Sequence, residues 1–384
     1  MCQVKKWGEG TMFLAWKELM HSKTKFTMLA VIFILISWLV FLLSGLGNGL
    51  STLAASTFKN MQADYVVFQQ GSKNSMGKSL ISGDLSEQIV LMDDVTAASP
   101  MGISMASAVN ENDAVGEDKV DIAIVGIIPG SFLQPNVIEG EGLTADQPTH
   151  VIVNDTLKDA GYKLGDTFKL DGSTESLTII GFVKDQTYNH VASVFTPISE
   201  WQKIAFAAPG SDKGIVDPVN AIMLQGSKID PENINQQLTG TDTVTRQAAV
   251  QGMPGYKEEN GTILMMLAFL LAISAFVLGV FFYVMTLQKS NQFGIMKAIG
   301  AKNKFLYKAV ISQVFILSVI SIVIGILLTY GTAAIMPKEM PFALDTTMMI
   351  AYSIALLIIS ILSSLVSVRM IAKIDPLKAL GRVE

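Results

Sequence analysis

The chain is short of what secreted scaffolds and soluble enzymes depend on. It has one cysteine, Cys2, among 384 residues, so no disulfide can form within it and any domain it builds must be held by a core. Only 16% of the residues are charged while 50% are hydrophobic, too apolar a balance for an ordinary soluble protein of this length. The three histidines, His21, His150 and His190, are scattered, and no HExxH, CxxC or GxSxG pattern occurs. The usual sequence signs of a metallohydrolase or a nucleophile elbow are therefore absent. A phosphate cradle is missing too. Gly71-Ser-Lys-Asn-Ser-Met-Gly77-Lys78-Ser79 places five residues between its glycines where the P-loop has four. Gly45, Gly47 and Gly49 lie inside an apolar run, where small residues four apart (Gly45 and Gly49) favour close helix packing over dinucleotide binding.

Present instead are four uncharged apolar runs, Phe26 to Leu50, Ile263 to Leu287, Ala309 to Met336 and Met348 to Val368. Each reaches the roughly 20 residues that a helix needs to cross the hydrocarbon core. The first is longer than a signal-peptide core and no strict AxA site closes it, so it reads as a retained helix. The implied order is a cytoplasmic amphipathic elbow over 1–25, spans at 26–50, 262–288, 309–336 and 348–368, and one large domain at 51–261. The linking segments are 289–308, a short external loop at 337–347 and a tail at 369–384.

Charge orients this layout. The segment from Ser51 to Gly261 carries 27 acidic and 13 basic side chains, a balance of −14, which leaves +9 for the rest of a chain whose total is −5. The surplus sits at Lys5, Lys6, Lys17, Lys23 and Lys25, at Lys289, Lys297, Lys302, Lys304 and Lys308, and at Arg369, Lys373, Lys378 and Arg382. The positive-inside rule puts these segments and both termini in the cytoplasm and the acidic domain outside.

The domain alternates strand-like and helical runs, so its expected class is mixed α and β. Strands are expected at Ala63 to Phe68, Val120 to Ile128, His150 to Val153, Leu177 to Val183, Val191 to Thr196 and Ala221 to Leu224. Short helices are expected at Ser86 to Met92, Asp155 to Ala160, Ser199 to Phe206 and Pro231 to Leu238. Gly71 to Gly77 and Asn110 to Glu117 read as exposed loops.

The most informative segment follows the second span. Phe293, Met296 and Ile299 recur at helical spacing, Lys297 and Lys302 flank them, and Gly300 stops the turn, which predicts a short amphipathic helix at the inner surface. Read blandly, it only lies on the headgroups.

Gly294-Ile-Met-Lys-Ala-Ile-Gly-Ala301 resembles the signature loop of the ABC permease superfamily that includes the FtsX and MacB proteins, and Asp375-Pro-Leu-Lys-Ala-Leu380 resembles its C-terminal ending. The layout of spans and domain is similar as well. The resemblance implies that the loop docks on a separate ATPase subunit as a coupling helix, the role falling to Phe293, Gly294, Met296, Lys297, Ala298, Ile299, Gly300 and Ala301. Gln292 stands where members often carry Glu, which puts any contact depending on that charge in doubt.

Within the superfamily the wording is most similar to the haem-efflux permeases of Gram-positive bacteria, the HrtB subgroup. That implies a permease homodimer with two ATPase copies, which carry the ATP and Mg, and no catalytic residue, metal or intrinsic cofactor in this chain. Haem enters as substrate, leaving the bilayer near the outer leaflet, and no nucleic-acid partner is expected. Tyr256, Glu258, Glu259, Met265 and Met266 have the chemistry to ligate or flank haem iron at the mouth of the second span. The two glutamates also serve as a helix-dipole cap, and a methionine pair also serves as packing. Other functions stay open: a non-transporting mechanotransmitter that activates a cell-wall hydrolase, an exporter of antimicrobial peptides or antibiotics, and a sensor or lipoprotein-release module.

Overall fold

A computed structural model describes residues 23–110, 119–173, 175–337 and 340–372. The elbow, but for its last three residues, most of the loop at 110–117, Lys338 and Glu339 of the short link, and the Asp375 to Leu380 ending lie outside the described residues. The chain divides into two compact units, Leu50–Asn260 and the segments on either side of it.

The described helices are α1 Lys23–Asn60, α2 Leu85–Ile89, α3 Ile198–Ala205, α4 Pro231–Gln237, α5 Arg246–Gln251, α6 Tyr256–Gln288, α7 Ser290–Ala298, α8 Asn303–Ile335 and α9 Thr346–Ala372. Among them α1, α6, α8 and α9 have the length and hydropathy to cross a membrane. A spanning segment must satisfy its backbone internally, which is why these apolar runs are helical throughout.

Apolar side chains cannot drive helix association in lipid, so small and polar residues do. Gly325 of α8 receives Ser37 of α1, whose hydroxyl donates to the Ser321 carbonyl at 3.2 Å. Trp38 Nε1 donates to Thr332 at 3.1 Å. Ser318 of α8 bonds Ser360 of α9 at 2.8 Å, and Ser363 of α9 bonds the Ala275 carbonyl of α6 at 3.0 Å. The three glycines of α1 serve two neighbours. A Cβ on Gly47 would lie 2.5 Å from Ile263 of α6, whereas Gly45 and Gly49 are covered by Phe342 and Pro341 of the link between α8 and α9. That link is tied down by Ala343 N donating to the Gly45 carbonyl at 3.1 Å and by Asn48 donating to the Ala343 carbonyl at 3.1 Å. The four-residue glycine spacing thus seats a loop as well as a helix.

In the second unit the strands are β1 Tyr65–Gln69, β2 Ile81–Ser82, β3 Ala97–Asn110, β4 Lys119–Ile127, β5 Val137–Gly140, β6 His150–Asn154, β7 Thr167–Leu170, β8 Ser176–Val183, β9 Thr187–Tyr188, β10 Val191–Pro197, β11 Pro218–Val219, β12 Ala221–Gln225 and β13 Thr241–Thr245. The main sheet runs β13-β1-β12-β3-β4-β10-β6-β8-β5, and β7 pairs with both β3 and β8. The pairings β3-β4-β10-β6-β8-β7-β3 therefore form a closed ring. Its interior holds Ile122, Ile124, Val151, Phe168, Ile179, Phe182 and Val194. The open wing β13-β1-β12 packs one face under Ile89, Ile234 and Leu238 and the other on Phe58, Met76 and Tyr256.

The longest strand, β3, has no counterpart among the expected elements. Its sequence is rich in Ala and Ser and contains Pro100 and Gly102, which argues locally against a strand. Packing overrides this. Gly102 and Gly126 are register partners on β3 and β4, and Trp201 of α3, 1% exposed, fills the notch they leave. An added Cβ on Gly102 would meet the indole at 2.2 Å. The indole N–H donates to Ser104 at 3.1 Å. Gly71 to Gly77, expected to be exposed, instead plants Met76 in the core at 2% exposure. The turn after β1 needs an apolar anchor.

Beside Trp201, Glu200 is fully buried and pairs with Lys203 at 3.0 Å. Burial, then a hydrogen bond with Glu175, raises its carboxyl above the ordinary value of 4.5. The folded state thus holds a proton that the unfolded state releases. This residue's contribution to stability is best below 4.5 and declines as pH climbs through that value toward the raised one. Glu200→Gln is expected to flatten that decline and stabilise the chain at neutral pH, read as urea midpoints in detergent across the window. An unchanged slope contradicts the assignment. Gly126→Val, which forces β4 off Trp201, is expected to cost about 1–3 kcal/mol or more, visible as faster amide exchange in β3 and β4.

Candidate functional site

Helix α1 breaks at Ala55, whose φ of −143° and ψ of 16° are not helical. A helix end strands four carbonyls, and in a buried position each needs a donor. All four find one. The Ser51 carbonyl accepts from Lys59 Nζ at 3.0 Å and the Thr52 carbonyl from Thr187 Oγ1 at 3.1 Å. The Leu53 and Ala54 carbonyls accept from the backbone N–H groups of His190 at 3.2 Å and Asn189 at 2.8 Å.

Three of these donors come from one tight turn. Thr187 and Tyr188 of β9 pair back on Val191 and Ala192 of β10, and Asn189 and His190 take left-handed φ of 49° and 69° to make the corner. The same turn holds the chain beyond the break. Ser56 Oγ accepts from Thr187 N at 2.7 Å, and Thr57 shares a 2.8 Å bond with Ser193. Tyr188, 5% exposed, packs on Phe58 with ring centroids 6.0 Å apart, and burial pushes its phenol up to about 12.

The start of α6 joins this clasp. Tyr256, 8% exposed, has its hydroxyl 2.9 Å from Ser51 Oγ, while Lys59 lies 2.7 Å from the same Ser51 oxygen and 5.3 Å over the Tyr256 ring. Arg246, at the start of α5, donates to the carbonyls of Lys59 at 2.7 Å and Met61 at 2.6 Å. Lys59, Arg246, Tyr256 and Asp64 line a cleft of about 460 Å³. Glu259 Oε1 accepts from His190 Nε2 at 3.1 Å.

The residues expected to flank a substrate are thus sorted by their surroundings. Tyr256 is committed to Ser51 and Lys59. Glu259 faces His190, Glu258 is exposed at the first turn of α6, and no group of three metal-ligating side chains occurs among the described residues. In the other unit Met265 and Met266 are 54% and 44% exposed on α6. His190, Lys59, Ser51, Thr187 and Arg246 were missed from sequence. The polar run Ser51-Thr-Leu-Ala-Ala-Ser-Thr57 directly after an apolar helix was the available signal.

The segment expected to couple to an ATPase forms α7. Phe293 and Gly294 are buried and Met296 packs against the membrane-unit core. Lys297 is half-buried, Ala298 is exposed, and Ile299 is 81% exposed at the end of the helix. Gly300 takes the left-handed φ of 98° that ends the turn before Ala301. The single amphipathic face expected from spacing is therefore split, with Phe293 anchoring and Ile299 presented. Met296, Ile299, Lys302, Lys304, Phe305 and Lys308 line a cavity of about 650 Å³.

A four-span membrane protein with one large α/β domain between its first and second spans is the class that this fold defines. Residues 25–241 match the MacB-like periplasmic core domain and residues 264–376 the FtsX-like permease C-terminal family. The chain belongs to the FtsX/MacB family of ABC transporter permeases. Similar proteins include two that bear the provisional name hemin transport system permease protein HrtB. The one from Staphylococcus haemolyticus is 26% identical over 97% of this chain and 100% of its own length. The one from Staphylococcus epidermidis is 27% identical over 96% and 99%. The extracellular domain of the ABC-type transporter YknZ is 13% identical with a TM-score of 0.34, covering 47% of this chain and 98% of that one.

Thr187→Val deprives the Thr52 carbonyl and the Ser56 hydroxyl of a partner in a buried setting. It is expected to cost about 1–3 kcal/mol, read as a lower urea midpoint and faster exchange over 51–60. Equal exchange in variant and wild type would show that the turn does not hold the break.

Proposed function

We propose that the chain is the membrane half of an ATP-driven exporter of haem or a closely similar amphipathic compound. The observation that carries this reading is its full-length similarity to the two staphylococcal proteins named for hemin transport. Family membership implies an ATPase partner. In this reading two permeases meet two ATPases, and the lysine-rich inner segments hold both termini in the cytoplasm.

Nucleotide-driven closure of the ATPases pushes on Phe293 to Ala301. Ile299, the exposed tip of that segment, supports a docking role, and the buried Phe293 supports transmission of the push into α6. The α/β domain responds through α1 and α6. The substrate meets Glu258 and Glu259 with Met265 and Met266 on α6, while Tyr256 acts as part of the clasp instead of as an iron ligand. Exposed apolar side chains at Met265, Phe269, Ile273, Phe276 and Val280 give α6 a continuous stripe for lipid or a second copy.

A deletion strain is expected to lose haem tolerance and retain haem. Wild-type permease should restore both properties, and the Glu258→Ala/Glu259→Ala variant should restore neither. Unchanged tolerance on deletion overturns the haem assignment. Gly300→Pro or Lys297→Glu is expected to abolish export with membrane insertion intact, because both strike the segment that meets the ATPase. Full export by both variants removes the coupling role of Phe293 to Ala301.

A further inference from the structure

The loop that mimics a phosphate cradle in sequence does reach an anion-sized cleft in the structure. After β1 the chain turns through Gly71 at φ 81°, then Lys73 and Asn74 at φ 56° and 60°, two consecutive non-glycine residues in the left-handed region. The turn is pressed against the segment that joins α5 to α6. A Cβ on Gly252 would stand 2.5 Å from Asn74 Cβ and 2.6 Å from the Asn74 carbonyl, so glycine is needed for the approach. Between the two segments lies a cleft of about 580 Å³ whose charged lining is Lys73, Lys78, Lys257 and Glu258.

Its sign is opposite to that of its surroundings. Acidic side chains outnumber basic ones 27 to 13 between Ser51 and Gly261, yet three ammonium groups share this cleft with a single carboxylate. Elsewhere on the domain Lys119, Lys158 and Lys203 are paired with Asp171, Glu139 and Glu200. Lys73, Lys78 and Lys257 have no such ion pair among the described residues. Like charges brought together around a concave surface repel one another and raise the local concentration of anions. The lining carries a net charge of about +2, which matches a ligand bearing two carboxylates.

We infer that the cleft formed by Lys73, Lys78 and Lys257 is an anion site that binds the paired carboxylates of an amphipathic dicarboxylate such as a porphyrin. This rests on the export reading above and adds a recognition element to it: the lysines hold the acidic edge of the ligand. Glu258 lines the same cleft, so it limits the total positive charge and disfavours ligands of higher negative charge.

The test uses the full chain in lipid nanodiscs of phosphatidylcholine, with zinc protoporphyrin IX and its dimethyl ester as fluorescent probes. Wild type is expected to bind the free diacid about tenfold more tightly than the ester. Lys73→Gln/Lys78→Gln/Lys257→Gln is expected to abolish the preference, and the corresponding triple arginine variant to keep it. Equal binding of diacid and ester by wild type overturns the cleft assignment and leaves the export reading standing. So does a preference that survives in the glutamine variant, or one that is lost equally in a Lys163→Gln/Lys213→Gln control on another part of the domain. Failure of wild type to bind either porphyrin overturns both inferences.

Discussion

The break at Ala55 is the constraint around which the α/β domain is arranged. A transmembrane helix that ends inside a protein must hand over four carbonyls, and here a lysine, a threonine and two backbone amides take them. The donors dictate their neighbours. Thr187 to His190 can reach the helix end only from a tight corner between β9 and β10, and β10 lies inside the strand ring, so the ring is anchored to the broken helix. Lys59 can turn back to Ser51 only because the break frees that carbonyl, and in doing so it brings Tyr256 into the same network. The two ends at which the domain joins its flanking helices are thereby tied to each other.

Much of this architecture was legible in sequence. The spans could be read because lipid demands long uncharged runs, and the strands His150–Asn154, Ser176–Val183 and Val191–Pro197 because they are β-branched and bounded by turns. What escaped did so for several physical reasons. Strand β3 looks like a loop because the close approach of Trp201 requires glycine on it and on its neighbour. Strand β13, Thr241–Thr245, is polar because part of its surface is solvated, and β5 has the burial pattern of an edge. Beyond the polar run at Ser51 to Thr57 the clasp was illegible, because that run and Lys59 meet Thr187, Arg246 and Tyr256 across more than a hundred residues and most of the acceptors are backbone carbonyls, which have no sequence signature. The glutamates at the start of α6 and the glycine after α7 could be read because helix ends impose local rules.

Small residues do the positioning in both units, for different reasons. Among the membrane helices, Gly47, Gly325, Ser318 and Ser360 permit contact where hydrophobicity gives no preference between protein and lipid. In the α/β domain, Gly102 and Gly126 admit one large aromatic ring, where the gain is burial of its surface. Replacing a glycine by alanine is therefore an overpacking lesion in both places.

The sheet topology also bears on how the protein is made. Strand β1 is flanked by β12 and β13, which are synthesised last in the domain, so Tyr65–Gln69 has no sheet to join until Ala221–Gln225 and Thr241–Thr245 exist. The ring, by contrast, needs nothing beyond Pro197 to close. During synthesis the ring can form while the wing waits, with its apolar strand uncovered, for the residues that immediately precede the second membrane helix. Completion of the domain and delivery of that helix to the bilayer are then nearly simultaneous, and an arrest with the chain emerged only as far as residues 200 to 220 would leave a folded ring beside an unpaired, aggregation-prone strand.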